Sequence, residues 1–282
     1  TRNSHASTTL KIMPTSSTQS FSVNGRTYSP PACPVVVICI DGCADEYLSV
    51  SIARGKTPNI AKLAAQGYRG MARACLPTFT NVNNGAIVTG TPPSETGICG
   101  NFFLDPDSGE GVMMNHSKFL RNDTILAAAE KAGRKVAFTA SESFVIDRHG
   151  DDFRKMIEEG LIDIMFVNET ELATLTGESE FEAGLAALDG KIPVLVATRS
   201  AKGAVGIANG QRAEVNAEPV EKVIDTTGAG DLFAAGFLTG HARGENLETC
   251  LRMGSICAAE IISHYGARPE VDLKALMADK LG

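Results

Sequence analysis

The chain has 282 residues, enough for one large α/β domain or two small ones. Apolar residues make up 43% and charged residues 21%, and no apolar stretch reaches membrane-spanning length, which excludes a membrane partner. The net charge of −7 carries no basic run, which excludes nucleic acid and leaves a small-molecule substrate as the expected partner; the oligomeric state is not fixed.

Residues 1–24 are Ser/Thr-rich and lack the apolar core of a cleavable signal. Residues 1–33 therefore read as a flexible tail and lead-in, and the absent initiator Met points to processing or a cloning boundary. Seven cysteines, an odd number without paired-knuckle spacing, read as reduced thiols and place the chain in the cytoplasm. The run 34–40 has the composition of a buried strand and ends on Asp41. A helix follows near 57–66. The Pro/Gly/Thr-rich stretch 76–111 reads as loops around a short helix at 82–88. Residues 122–132 have helical spacing, with Asn122 or Asp123 as cap. Beyond them come strand 135–139, helix 151–159, strand 162–167, helices 169–175 and 180–189, and strand 193–198. Residues 203–208 and 212–216 form a hairpin around Asn209-Gly210. Helices 231–242, 246–264 and 271–280 close the chain. Such alternation predicts an α/β fold, a mostly parallel sheet with helices on both faces in three layers.

The segment richest in chemistry is Asp225-Thr226-Thr227-Gly228-Ala229-Gly230-Asp231, which runs straight into the apolar stretch 232–238. Small residues at 228–230 let backbone N–H groups approach a ligand where a helix begins, with its unpaired donors and positive dipole end. Asp231 sets a carboxylate at the same spot, and an anion hole beside a base is the minimum for phosphoryl transfer to a hydroxyl. The plainer alternative is a glycine turn with an Asp cap.

This loop, continued as D-x-F-x-A-G-F, closely resembles the signature of the ribokinase-like (PfkB) sugar and nucleoside kinases. Asn168-Glu169-Thr170-Glu171 resembles that family's N-x-x-E motif, and 196–204 resembles its nucleotide-binding strand and turn. The resemblance runs from about Val136 to the C-terminus and covers the second half of such a kinase. It implies ATP and Mg²⁺ as cofactors, Asp231 as general base, and Gly228, Ala229 and Gly230 as the anion hole. Asn168 and Glu171 would organise Mg²⁺ and its waters, or cap a helix as N-cap and N3 partner, and both roles can hold at once. Thr198, Ser200 and Gly203 would line the nucleotide, Asp225 and Thr227 would hold a monovalent cation such as K⁺, and His264 and Tyr265 would pack or touch the nucleotide's edge.

The segment 20–137 resembles a different family. Its pieces are 34–42, Thr57-Pro58-Asn59-Ile60, 76–84, 89–98 and Gly100-Asn101-Phe102-Phe103. Together they resemble the start of phosphonoacetate hydrolases, zinc enzymes of the alkaline phosphatase superfamily. That implies Asp41 as a zinc ligand, Thr80 as nucleophile and Asn101 as a phosphonate contact. A two-zinc site needs several Asp and His side chains at short range. None of the five histidines follows an Asp directly or by four residues, so a structural reading of Asp41 and Thr80 is favoured.

The sequence thus reads as two partial enzymes, 34–137 hydrolase-like and 138–282 kinase-like, with the seam near Ala132–Thr139. The expected function is ATP/Mg²⁺-dependent phosphotransfer to a sugar or nucleoside hydroxyl, weak or lost because the acceptor-binding half is absent. The alternatives are zinc-dependent phosphonoacetate hydrolysis and a catalytically silent scaffold.

Overall fold

A computed structural model describes residues 20–29, 40, 42–114, 116–140 and 142–282. The strand expected at 34–40, apart from Ile40, and the candidate ligand Asp41 lie outside the described residues. Packing divides the chain into two compact units, one ending at Arg134 and one running from Lys135 to Gly282.

The N-terminal unit opens with a correction to the expected tail. Residues 21–28 form an antiparallel hairpin of β1 (Phe21–Val23) and β2 (Arg26–Tyr28). Its turn is Asn24-Gly25, with φ of 50° and 72°, the left-handed pair that suits a two-residue hairpin. Asn24 Nδ2 ties the turn to the Thr89 carbonyl at 2.9 Å and the Asp123 carbonyl at 2.7 Å. Next come α1 (Asp45–Ala53), which the sequence reading missed, and α2 (Pro58–Gln66), which it placed correctly; neither buries a residue. The stretch expected to be mostly loop holds α3 (Thr80–Thr89), α4 (Pro93–Thr96) and a hairpin of β3 (Phe102–Leu104) and β4 (Gly111–Met113). Helix α5 (Ile125–Lys131) starts from Thr124, whose hydroxyl accepts the Ala127 N–H at 3.1 Å. Among its described residues the buried apolar cluster is Val82, Ile98 and Met114, edged by Phe103 and Phe119.

The C-terminal unit is a three-layer α/β structure. Its sheet runs in the order β5 (Ala137–Thr139), β6 (Ile164–Asn168), β7 (Val194–Thr198), β8 (Ala204–Ala208) and β9 (Gln211–Val215). Strands β5, β6 and β7 are parallel and only β8 runs against the rest, so four of the five strands point the same way. Alternate residues face opposite layers. Met165 and Val167 of β6 and Leu195 and Ala197 of β7 meet α6 (Ser143–Glu158), α7 (Glu169–Thr176) and α8 (Phe181–Leu188). Ile164, Phe166, Val194 and Val196 meet α9 (Ala229–Arg243) and α10 (Leu247–Ile261). The Phe166 and Phe237 rings pack edge to face at 5.4 Å. Burial on both faces explains why these strands read as continuous apolar runs. Helix α6 begins at Ser143, earlier than the expected 151, and carries a kink at His149 with φ −126° and ψ 18°. Helix α11 (Leu273–Leu281) closes the unit, with Asp272 as its cap.

Candidate functional site

The carboxyl ends of the strands assemble one edge of the site. The ladder pairs Asn168 with Thr198, Thr198 with Ala204, and Ala204 with Val215, a single row across β6 to β9. In open α/β sheets this edge is where ligands collect.

At that edge Asn168 caps α7. Its Oδ1 accepts the Glu171 N–H at 2.9 Å, Glu171 Oε2 accepts the Asn168 N–H at 2.9 Å, and Asn168 Nδ2 donates to Glu171 Oε1 at 2.7 Å. This is a complete capping box, with both Glu171 oxygens engaged. Glu171 is buried, and burial raises its pKa against the opposing Asn168 hydrogen bond, helped by the nearby charge of Glu142.

Thr198 ends β7, its hydroxyl 3.5 Å from the Val167 carbonyl. Ser200 follows in a short 3₁₀ turn, exposed and with φ of 50°. The turn closes at Gly203, where φ is 89° and a Cβ would collide with the Val215 carbonyl oxygen. Gly203 is thus required for β8 to pass the end of β9. Arg199 fastens this turn and was missed by sequence reasoning. It contacts Glu169 at 3.5 Å and Glu214 at 3.1 Å, and its guanidinium sits 4.3 Å from the Phe181 ring centroid.

The loop 225–231 is built around Asp225. Its Oδ1 accepts the Thr227 N–H and its Oδ2 accepts the Gly266 N–H, both at 2.9 Å. The Gly266 amide and the Thr227 hydroxyl and amide, aided by the charge of His264, hold the Asp225 pKa down to about 2. Gly228 is the N-cap of α9 with φ of 80°, and a Cβ there would come within 2.9 Å of the Ala267 Cβ. The Ala229 N–H closes a turn to the Thr226 carbonyl at 3.2 Å, and the first full helical bond runs from Leu232 to Gly228 at 2.9 Å. Helix geometry leaves the first-turn amides of Gly230 and Asp231 without intrahelical acceptors. The space beside Gly230 is open, and Asp231 is exposed in that first turn. Both Asp225 oxygens are thus engaged by backbone donors.

Behind this loop lies Glu260, also missed by sequence reasoning; an acid four residues before His264 is the signal that marks it. Its Oε1 meets His264 Nε2 at 3.1 Å and accepts the Glu270 N–H at 2.8 Å. Tyr265 is exposed.

In the N-terminal unit, Thr80 is the first residue of α3, and the Asn81 N–H donates to Asn101 Oδ1 at 3.2 Å. Asn101 thus bonds to the first turn of α3, at the residue after Thr80. Among the described residues, which leave out Asp41, no group of three or more His, Cys, Asp or Glu is arranged to hold a metal. No helix among the described residues is long and apolar enough to cross a membrane.

The family model described as pfkB family carbohydrate kinase matches residues 114–273, and that of type I phosphodiesterase / nucleotide pyrophosphatase matches residues 35–154. The cytidine kinase of Thermococcus kodakarensis is 37% identical over 108 residues, 37% of this chain and 38% of the relative. An uncharacterized sugar kinase of Archaeoglobus fulgidus is 40% identical over 106 residues, 37% of this chain and 42% of the relative. The chain thus spans about two-fifths of the length of these curated relatives. Among solved structures, adenosine kinase from Sinorhizobium meliloti matches with 36% identity and a TM-score of 0.53, over 56% of this chain and 48% of that one. A probable sugar kinase from Rhizobium etli CFN 42 matches with 35% identity and a TM-score of 0.53, over 55% and 47%.

Proposed function

The chain belongs to the pfkB family of carbohydrate kinases, and we propose that it binds ATP with Mg²⁺ and transfers the terminal phosphoryl group to a hydroxyl of a sugar or nucleoside. The observation that carries the proposal is the 225–231 loop, where a clamped Asp225 and a left-handed Gly228 present the open start of α9. In this reading the amides of Gly228 to Gly230 stabilise charge on the transferring group, and Asp231 takes the proton from the acceptor hydroxyl. Thr198, Ser200 and Gly203 border the nucleotide. Asn168 and Glu171 orient waters around Mg²⁺, which when bound would neutralise phosphate charge. Asp225 and Thr227 are the candidates for K⁺. The names of the relatives, cytidine kinase, adenosine kinase and sugar kinase, support a nucleoside or sugar as acceptor. The matched region is only part of those relatives, and we propose that phosphotransfer is correspondingly weak.

The test compares ATP affinity by calorimetry with ADP release over a panel of sugars and nucleosides. Asp231→Asn keeps ATP affinity and lowers transfer by about 10²–10⁴-fold, the range for a lost general base. Gly228→Val removes ATP binding by filling the space against Ala267. Equal loss of affinity in both variants would make Asp231 structural, and a parent chain that binds no ATP would leave a silent scaffold. Zinc-dependent hydrolysis is not proposed: the expected outcome is no stoichiometric zinc by elemental analysis and no phosphate released from phosphonoacetate.

A further inference from the structure

Glu260 lies in the last turn of α10, with only 6% of its side chain exposed. Burying a carboxylate is costly unless it is hydrogen-bonded, so its bonds indicate what it is kept for. Two partners meet the same oxygen, Oε1: His264 Nε2 at 3.1 Å and the Glu270 backbone N–H at 2.8 Å. Oε2 is buried and has no hydrogen-bond partner among the described residues. The two partners bracket the connection between α10 and α11, one at its start and one near its end. Between them lie the two residues that touch the phosphate loop: Gly266, whose N–H is bonded to Asp225, and Ala267, whose Cβ fills the space over Gly228. A further bond, from the Ile224 N–H to the Ile262 carbonyl at 2.8 Å, fixes the chain just before Asp225 to the end of the same helix.

We propose that Glu260 is a positioning residue: it staples the 264–270 connection at both ends and through Gly266 and Ala267 holds Asp225 and Gly228 in the geometry that opens the start of α9. The inference rests on the kinase reading for its functional consequence, and its structural content stands apart from that reading. His264 serves as the leading tie. Its Nδ1 lies 3.4 Å from the Tyr265 carbonyl and its Nε2 faces the Glu260 carboxylate, so both ring nitrogens face acceptors. Only the imidazolium form donates to both.

The test uses the full chain and two substitutions. Glu260→Leu removes both ties, whereas Glu260→Gln keeps an oxygen that accepts from Glu270 and His264. Amide hydrogen exchange at Gly266 and Thr227, the two donors to Asp225, is read beside exchange at Val196 in the central sheet. Glu260→Leu is expected to speed exchange at Gly266 and Thr227 by about tenfold or more, as the loss of hydrogen bonds to a charged group implies. Val196 stays unchanged, ATP affinity falls by about tenfold, and Glu260→Gln restores both the protection and the affinity. Unchanged protection at Gly266, an equal rise at Val196, or no rescue by Gln overturns the proposal. If Glu260→Leu does not fold, His264→Leu decides: it cuts the leading tie alone and must raise Gly266 exchange severalfold, and unchanged protection there overturns the proposal. If the parent binds no ATP, the kinase reading fails on that measurement while exchange alone decides the staple.

Discussion

The two units of this chain solve the problem of burial very differently. The C-terminal unit sandwiches its sheet between two apolar layers, with Met165, Val196, Leu195 and Phe237 withdrawn from solvent. The N-terminal unit gathers Val82, Ile98 and Met114 into one small cluster, while Tyr68, Met71 and Leu76 are each more than three-quarters exposed. What the contrast teaches is that a motif survives where its scaffold survives. The loop 225–231 is tied to the packed C-terminal unit through Ile224 to Ile262 and Asp225 to Gly266, whereas around the Asn81–Asn101 hydrogen bond no metal-holding group stands among the described residues.

The sharpest way to break this comparison is to attack each core separately. Phe237→Ala empties a fully buried site against Phe166 and should cost about 3–5 kcal/mol, and Ile98→Ala in the smaller cluster about 2 kcal/mol. If the units fold independently, each substitution shifts only its own transition. The chain has no Trp, so region-resolved hydrogen exchange in a urea series is the suitable probe. One coincident transition moved by both variants would show a single cooperative core and erase the distinction.

The same contrast governs what could be read from sequence. Strands β6 and β7 were legible because burial on both faces writes an unbroken apolar run, and the N-x-x-E spacing marked the capping box before any coordinates. The Asn209-Gly210 hairpin was legible from its turn pair. The equivalent Asn24-Gly25 turn was passed over because its strands are three residues long and pair Ser22 with Thr27. Helix α1 was passed over because its apolar residues Tyr47, Leu48, Val50 and Ile52 are spread around the helix and form no single stripe. At the site, the loop 225–231 announced itself, but its brace through Glu260 did not. Asp225 and Gly266 are 41 positions apart, and no periodicity joins residues that meet only through the fold.

Glycines sharpen the comparison at the next scale of effect. Gly203 and Gly109 both have positive φ, of 89° and 70°. At Gly203 a Cβ would strike the Val215 carbonyl, whereas beside Gly109 nothing lies within 4 Å. Gly203→Ala should therefore cost roughly 3 kcal/mol, combining backbone strain with overpacking. Gly109→Ala should cost about 1 kcal/mol from strain alone. Equal losses by chemical denaturation would mean that Val215 yields and that the end of β9 is not rigid.

Caps provide a smaller contrast. Asn168→Ala breaks a reciprocal box and leaves the buried Glu171 short of partners, so a loss of about 2 kcal/mol is expected. Thr124→Ala removes one exposed cap bond at the start of α5 and should cost about 0.5–1 kcal/mol. A reversed order in the two melting shifts would count against the capping box as the tie that fixes the site edge.

The smallest effect is expected from pH, and it needs a local readout. Asp225 is held at about 2 in the folded chain, below its usual value near 3.9. Its contribution is complete above about pH 4 and disappears as pH falls through about 2. Burial alone would lower the His264 pKa, but the Tyr265 carbonyl and the carboxylates of Glu260 and Glu270 outweigh it and raise it. A raised histidine stabilises below about pH 6.5 and loses that contribution as pH climbs through its folded value. His241 runs the other way. Burial, with help from Lys135, lowers its pKa, so protonation below about pH 6.5 opposes the fold. The two histidines act on opposite sides of about pH 6.5, so the unit's stability should pass through a shallow maximum near that pH. The amide of Gly266 feels only the His264 side of this balance. Its exchange, corrected for the intrinsic rate, should therefore rise as pH passes above the His264 value, and His264→Asn should remove that rise. A pH-independent protection factor at Gly266 in the parent chain would show that the imidazolium form does not matter to the connection between α10 and α11.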